Sequence, residues 1–422
     1  MRPRGEVIQA MREYVEAICD RIGPRPPCSE AERKAAEYIK AQWEASNPDT
    51  ALEEFTCHPG AYRAMFRWPI ALFILSLCTY HLLPLVSLVC TALSMLILVC
   101  EMMFNQELID WIFPTRSSCN VISRFEPEGP VRNRVIVSCH HDSNFEFPLE
   151  NRFGPRFSLL VTFVIVCNLV LFLVSLLGTG LPLAGSPALV AGYQRATFPL
   201  LVLLAASVPL HLTLFLHIIS DRPVVGANDN LSGEAVCLSL AGFLAVPENR
   251  PKHTSVWLAS FGCEEFGTRG SKRFIKRHLE EIRNAHVLNL DMVGEQGSRL
   301  WTVTKEEVNL IPLSGEMVAL VLEAGKRSGV PLRAGPVMFF TDAMAFARNR
   351  IRATSLISLD DQGVSRTHHW RGDTPDKLDY DLMHDCYRVC VEFIRQIEAR
   401  ADRFLVLQAE QGDKQEYASP LK

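Results

Sequence analysis

The sequence predicts an α/β domain, a mostly parallel sheet covered by helices on both faces, interrupted twice by helical hairpins of membrane-spanning length. Three observations carry this expectation. Short β-rich runs alternate with amphipathic helix patterns over most of the chain. Three windows carry no charge and stay apolar for about 20 residues or more, the length that crosses a bilayer. The β/α pattern then resumes on the far side of each interruption.

The elements follow in order. MRPRGEVIQAMREYVEAICDRIG alternates charged and apolar residues like an amphipathic helix and has no apolar core of a secretory signal. SEAERKAAEYIKAQWEAS opens with a capping box, Ser29 and Glu32, and continues as a second such helix. TALEEFTCHP and NVISRFEP alternate as strands do, while RVIVSC, SVWLAS, HVLNL and ATSLISL read as strands buried in a sheet. Between them fall helix patterns at LSGEAVCLSLAGFLA, GSKRFIKRHLEEI, SGEMVALVLEAGKRSG and YDLMHDCYRVCVEFIRQIEARA. Residues 406–422 read as a disordered, solvated tail.

Phe157 to Leu177 and Phe198 to Ile219 each meet the length of one span without a charge. Pro69 to Cys100 runs for 32 uncharged residues, too long for one ordinary span and slightly short for two. It reads either as a tight hairpin turning near Leu82 to Pro84 or as a single kinked span. Burial as core helices is the plain alternative for all three, but a soluble core helix normally keeps a polar stripe. The net charge of -4 supplies no basic footprint for nucleic acid. Thirteen cysteines without a CxxC pair favour reduced thiols over a disulfide framework.

Residues with chemistry gather where strands end. His140-His141-Asp142 follows RVIVSC, Glu264-Glu265 follows SVWLASFGC, and Asp291 follows HVLNL. Binding groups in open α/β sheets collect at the carboxyl ends of strands. GANDNLSG adds Asp229, and HHWRGDT adds His368, His369 and Asp373. A single buried histidine is most often a satisfied core residue and a Glu-Glu pair a wet surface, so no one motif decides. Taken together they supply what two divalent ions about 3.5–4 Å apart require: a bridging carboxylate, two ligands for each ion, and a further carboxylate to take a proton. Imidazole with carboxylate suits zinc.

These motifs, HHDS, GANDNLSG, EEFGTRGS, NLDM and HHWRGDT, resemble those of the dinuclear-zinc aminopeptidases, metallopeptidase family twenty-eight, which includes glutamate carboxypeptidase. IGPRPPCSEAERKAAEYI is similar to the family's opening helices. The resemblance implies two zinc ions, with His140 and Asp291 on one, Glu265 and His369 on the other, and Asp229 between them. It implies Glu264 as general base and Asp142 as the group that orients His140. His368 stands where the family has a tyrosine, which makes it a candidate substrate-binding residue and a departure from the pattern. His141 likewise replaces a common tyrosine and is expected to pack or make rim contacts rather than bind metal.

In the family the loop from His-x-Asp-Ser to the bridging aspartate is short, whereas 86 residues separate Asp142 from Asp229 here. Both interruptions therefore sit inside one domain and must cross the membrane an even number of times, which favours the hairpin for Pro69 to Cys100. The expected organisation is a discontinuous zinc-peptidase domain at 1–65, 104–155 and 221–405, with transmembrane hairpins at 66–103 and 156–220. Arg63, Arg67, Arg152, Arg156 and Arg222 flank the spans on the peptidase side, against Arg195 on the far side. That bias places the domain in the cytosol. The expected activity is that of a membrane-anchored zinc exopeptidase of the aminopeptidase type, acting on peptides. A carboxypeptidase, an amidase for acylated amino acids and a non-catalytic membrane scaffold or chaperone are the alternatives.

Overall fold

Continuous apolar and β-branched runs need cover on both faces of a sheet, and the central strands have it. The structure, a computed structural model, describes residues 3–306 and 310–416. Nine strands form one sheet: β1 Thr50–Cys57, β2 Arg116–Phe125, β3 Asn133–His140, β4 Thr254–Phe261, β5 His286–Asp291, β6 Arg299–Glu306, β7 Ile311–Pro312, β8 Arg333–Val337 and β9 Arg352–Leu359. Their order is β1-β2-β4-β3-β5-β9-β6-β7, with β8 also on β6. Every residue of β4 and β5 is buried.

Period-two alternation divides these strands between two cores. Val135, Val137, Val256, Leu258, Leu288 and Leu290 face one, together with Met11, Ile39, Leu240, Val321 and Phe393 from the helices Arg4–Arg21, Glu30–Glu44, Gly233–Leu244, Gly315–Ser328 and Tyr380–Glu416. Ile136, Trp257, Ala259, Phe261 and Val287 face the other, against Phe274 and Phe346 from Arg269–Ile282 and Asp342–Arg348. The result is helix, sheet and helix in three layers.

The centre of the sheet is parallel, as expected, and its flanks make it mixed. β4, β3, β5 and β9 are parallel, but β2 runs antiparallel to β4 and β6 antiparallel to β9. Strand direction at the flanks is set by partners far away in sequence, which alternation does not report. β6 and β8 were not anticipated either. β6 carries lysine and glutamate among its apolar residues, and β8 contains Gly335 and Pro336, tolerated because it lies off the main path of the sheet. The last helix runs to Glu416, beyond the start of the expected tail at 406; residues 417–422 of that tail lie outside the described residues.

The chain divides into two units: residues 1–56, 117–144 and 223–422, which contain the sheet, and residues 57–116 and 145–222, which are helical. In the helical unit, Gly60–Thr79, Pro84–Met103, Phe157–Leu183 and Pro187–His217 are each long and apolar enough to cross a membrane. The first two meet at a turn over Tyr80–Leu83, closed by the Leu82 and Leu83 N–H groups on the Thr79 carbonyl. The first helix begins at Gly60, so Arg63 and Arg67 lie within it rather than before it. The last begins at Pro187 rather than near Phe198. Ser186 caps it through the Leu189 N–H, Pro187 occupies its first turn, and Arg195 sits inside it.

This unit buries polar side chains beside its apolar core of Phe73, Leu171 and Leu204, and leaves many large apolar ones exposed. Ser76, Ser87, Thr91, Ser94, Asn168 and Ser175 are buried, whereas Leu85, Val89, Leu93, Phe163, Val166 and Leu173 are exposed. The Ser87 hydroxyl lies 2.6 Å from that of Ser76 and 2.9 Å from that of Ser175, and Ser94 donates to Asn168 Oδ1 at 2.6 Å. Hydroxyl and amide pairs thus join these helices alongside their apolar contacts.

Candidate metal centre

Three parallel strands end together, and the last residues of two of them, β3 and β5, enter one site. His140 closes β3 opposite Phe261 of β4, and Asp291 closes β5. Chain turns just past β4 and at the start of the helix Gly233–Leu244 bring in Glu264, Glu265 and Asp229. His140 Nε2 lies 3.3 Å from Asp229 Oδ1 and 3.8 Å from Asp291 Oδ1. His369 Nε2 lies 2.8 Å from Glu265 Oε2 and 3.7 Å from Asp229 Oδ2. The two oxygens of Asp229 therefore serve different histidines. Within each triad, His140-Asp229-Asp291 and Asp229-Glu265-His369, ligand atoms all lie within 4.8 Å of one another. A tetrahedral ion with bonds of about 2.1 Å sets its ligand atoms about 3.4 Å apart, so both triads fit zinc.

A layer of hydrogen bonds holds these groups. Asp142 receives the Glu264 N–H on Oδ1 at 3.1 Å and the Glu265 N–H on Oδ2 at 3.0 Å, with His140 Nδ1 3.5 Å from Oδ1. Asp373 does the same for the other loop, accepting from the Asn228 and Asp229 N–H groups at 2.7 and 2.9 Å. Gly226 opens that loop in the left-handed region, and a Cβ there would collide with Ser143 and the Asp229 carbonyl. The Asp229–Asn230 peptide is cis.

Arg25, fully buried, was not recognised as part of the site. Its guanidinium donates to the carbonyls of His141, Val225 and Gly226, tying the loop after the first helix to both metal-binding loops. Asn144 was missed as well; its amide lies 2.8 Å from Glu265 Oε2 and 3.1 Å from His369 Nε2. The only local signal for Arg25 was a charged residue between prolines in GPRPP.

The remaining histidines take different places. His141 is buried with Nδ1 2.7 Å from the Ser260 hydroxyl, and burial pushes its imidazole down to about 3. It packs and stays neutral. His368 stacks on His369 at 3.8 Å and on Phe339 at 5.0 Å, so its ring sits at the margin of the centre.

The site is strongly acidic. Asp142, Asp229, Glu264, Glu265 and Asp291 are all buried. Burial pushes Glu264 and Glu265 well above the usual carboxylate range. Burial opposes charge on Asp229 too, but hydrogen bonding to His140 and the nearby histidines hold it at about 2. Such an excess of buried carboxylate calls for cations.

Carboxylates and imidazoles gathered at the carboxyl ends of a three-layer α/β sheet form a set of groups that could hold metal ions. The profile described as Peptidase family M28, a family of metallopeptidases, matches residues 207–394 of the chain. Among solved structures, a leucine aminopeptidase precursor from Bacteroides thetaiotaomicron is 15% identical over 92% of this chain and 96% of its own, with a TM-score of 0.52. A Zn-dependent exopeptidase from Parabacteroides distasonis is 14% identical over 92% and 97%, with a TM-score of 0.53. A glutaminyl cyclase from an Acidobacteriales bacterium is 14% identical over 93% and 95%, with a TM-score of 0.55. At these identities the likeness is one of fold. No curated protein matches the chain in sequence.

Proposed function

We propose that this protein is a membrane-anchored, dizinc exopeptidase of the aminopeptidase type. The observation that carries the reading is Asp229, whose two oxygens face separate His-carboxylate pairs, as a bridge between two ions requires. His140 and Asp291 would hold one zinc and Glu265 and His369 the other. Bound zinc supplies Lewis acidity and a water acidic enough to ionise near neutral pH. Glu264, buried beside this set, accepts the proton of the attacking water and returns it to the leaving amine. Asp142 keeps His140 oriented and anchors the Glu264–Glu265 turn. Acidic side chains not fully neutralised by metal attract the ammonium of a free N-terminus, which favours an aminopeptidase over a carboxypeptidase.

The four apolar helices, with hydroxyls buried between them and many leucines exposed, support an environment of lipid. The turns Tyr80–Leu83 and residues 181–186 contain no charge, and Arg195 is the one basic residue near that end. The arginines at the other end favour a cytosolic peptidase domain.

The deciding experiment compares matched peptides ending in leucine amide, with free, acetylated and glutamine N-termini, on the zinc-loaded full-length protein. Cleavage of the free form and not of the acetylated form is expected. Equal cleavage of the acetylated form, or a need for a free carboxylate, overturns the aminopeptidase reading. Release of ammonia from the glutamine peptide without cleavage would make the protein a cyclase, the activity named for several fold neighbours.

A further inference from the structure

Four consecutive backbone N–H groups, from Gly262 to Glu265, each meet a side-chain oxygen. Gly262 donates to Asn120 Oδ1 at 3.2 Å, Cys263 to Glu32 Oε1 at 2.8 Å, and Glu264 and Glu265 to the two oxygens of Asp142. Asp142 belongs to the metal-site motifs, but Glu32 comes from the second helix of the chain, 231 residues before Cys263. It is almost wholly buried, at 1% exposure.

The capping box expected at Ser29 and Glu32 forms only in half. The Ser29 hydroxyl accepts the Glu32 N–H at 3.1 Å. The Glu32 carboxylate does not return to the N-cap. Oε2 takes the Cys28 N–H at 2.7 Å, and Oε1 takes both the Cys263 N–H and the Ser118 hydroxyl, the latter at 2.9 Å. A side chain that local helix chemistry would use for capping is thus directed at the turn before Glu264.

That turn needs outside support. Cys263 has a φ of +53°, a left-handed conformation that a residue with a Cβ keeps only where its surroundings over-determine it. Gly262 leaves room for the approach, since a Cβ there would lie 3.1 Å from Glu32 Oε1 and closer still to Ser118. Glu264 is the next residue along, so a rotation at Cys263 swings its carboxylate.

We infer that Glu32 is a positioning residue, which fixes the Cys263 peptide and so aims Glu264 at the reacting water. The inference rests on the reading of Glu264 as general base. Glu32→Ala removes all three acceptor contacts. Glu32→Gln keeps the shape but presents an amide N–H where one acceptor is needed, and so retains folding if the alanine variant loses it. With full-length, zinc-loaded protein, kcat falls about 100-fold for Glu32→Ala and about 10-fold for Glu32→Gln, with KM and zinc content little changed. Placed in a Glu264→Gln background, either substitution lowers kcat no further, because its target is already gone. Equal losses in both backgrounds would reduce Glu32 to a structural residue and overturn the inference. Hydrogen exchange of the segment 258–268, read by mass spectrometry, tests the same contact without any substrate. It quickens in both Glu32 variants and not in Glu264→Gln, and unchanged exchange in the Glu32 variants overturns the inference even if the protein cleaves no peptide.

Discussion

The two units bury polar side chains for opposite ends. In the sheet-bearing unit a charged set converges: Asp142, Asp229, Glu264, Glu265 and Asp291 lie within one site with His140 and His369, and Asp373 and Arg25 stand behind them. In the helical unit a neutral set, Ser76, Ser87, Ser94, Asn168 and Ser175, is spread along helix seams, in addition to the buried acids Glu101, Asp110 and Glu146. A buried charge is costly unless a partner compensates it, so concentrating carboxylates stores a demand for metal. A serine pair satisfies itself and demands nothing further. The difference is one of chemistry: the first set offers ligands to cations, whereas the second satisfies itself within the helix contacts.

The largest way to break this comparison is to remove the bridge. Asp229→Ala should lose bound zinc, measured by metal analysis, and all measurable hydrolysis with it. Glu264→Gln should keep its zinc yet lower kcat by roughly 100- to 10,000-fold, the usual loss of a general base. Zinc retained in the first variant, or near-normal turnover in the second, would put the roles elsewhere.

A second test concerns where the two units face. Single cysteines at Glu30 and Lys276, in a cysteine-depleted background, should be shielded together from an impermeant thiol reagent in intact cells. Cysteines at Leu82 and Leu183, in the two helical turns, should react together. Reversal of the two pairs inverts the orientation, and a split within either pair removes the paired hairpins.

The helical seam predicts a smaller effect. Asn168→Leu deprives Ser94 of one partner, and unfolding from detergent micelles should show a loss of roughly 1 kcal/mol, typical of hydrogen bonds between membrane helices. No loss would mean that packing alone joins these helices.

The smallest effect is one of pH and sharpens the contrast between titrating and non-titrating burial. His286 begins β5, and burial, reinforced by Arg352, pushes its imidazole down to about 4. The unfolded chain takes up a proton near pH 6.5 and the folded one only near 4. The stability that depends on neutral His286 is therefore present above about pH 6.5 and is lost as pH falls toward 4. His286→Leu should flatten the melting-temperature curve across that interval, whereas Ser87→Ala in the helical unit should leave its slope unchanged.

Much of this was legible in the chain itself. RVIVSC, SVWLAS and HVLNL announce buried strands because continuous β-branched and apolar runs suit a strand covered on both faces. His140, Asp229, Glu264, Glu265, Asp291, His368 and His369 were legible as candidate donors because donor chemistry belongs to the side chain, whereas their division into ligands and base came from the resemblance of the motifs to a family. The charge-free windows were legible because hydropathy is additive along a helix, although their ends were not. A helix continues through Tyr193, Gln194 and Arg195 once Ser186 and Pro187 have started it, and polarity alone does not stop it.

Other features exist only in three dimensions. The antiparallel flanks of the sheet depend on which strands meet, and β2 meets β4 rather than its sequence neighbour β3. Arg25 is buried because three carbonyls from distant loops surround it, and Asn144 reaches Glu265 and His369 across two separate loops. Glu32 is the clearest case: its place in SEAE marks it as a cap, yet its carboxylate finds the Cys263 N–H. Periodicity and donor type are properties of a few adjacent residues, so the sequence by itself determined the central strands, most of the helices and the candidate donor residues. A hydrogen bond is decided by which groups arrive within about 3 Å of each other, and for residues hundreds of positions apart only the folded chain brings them there.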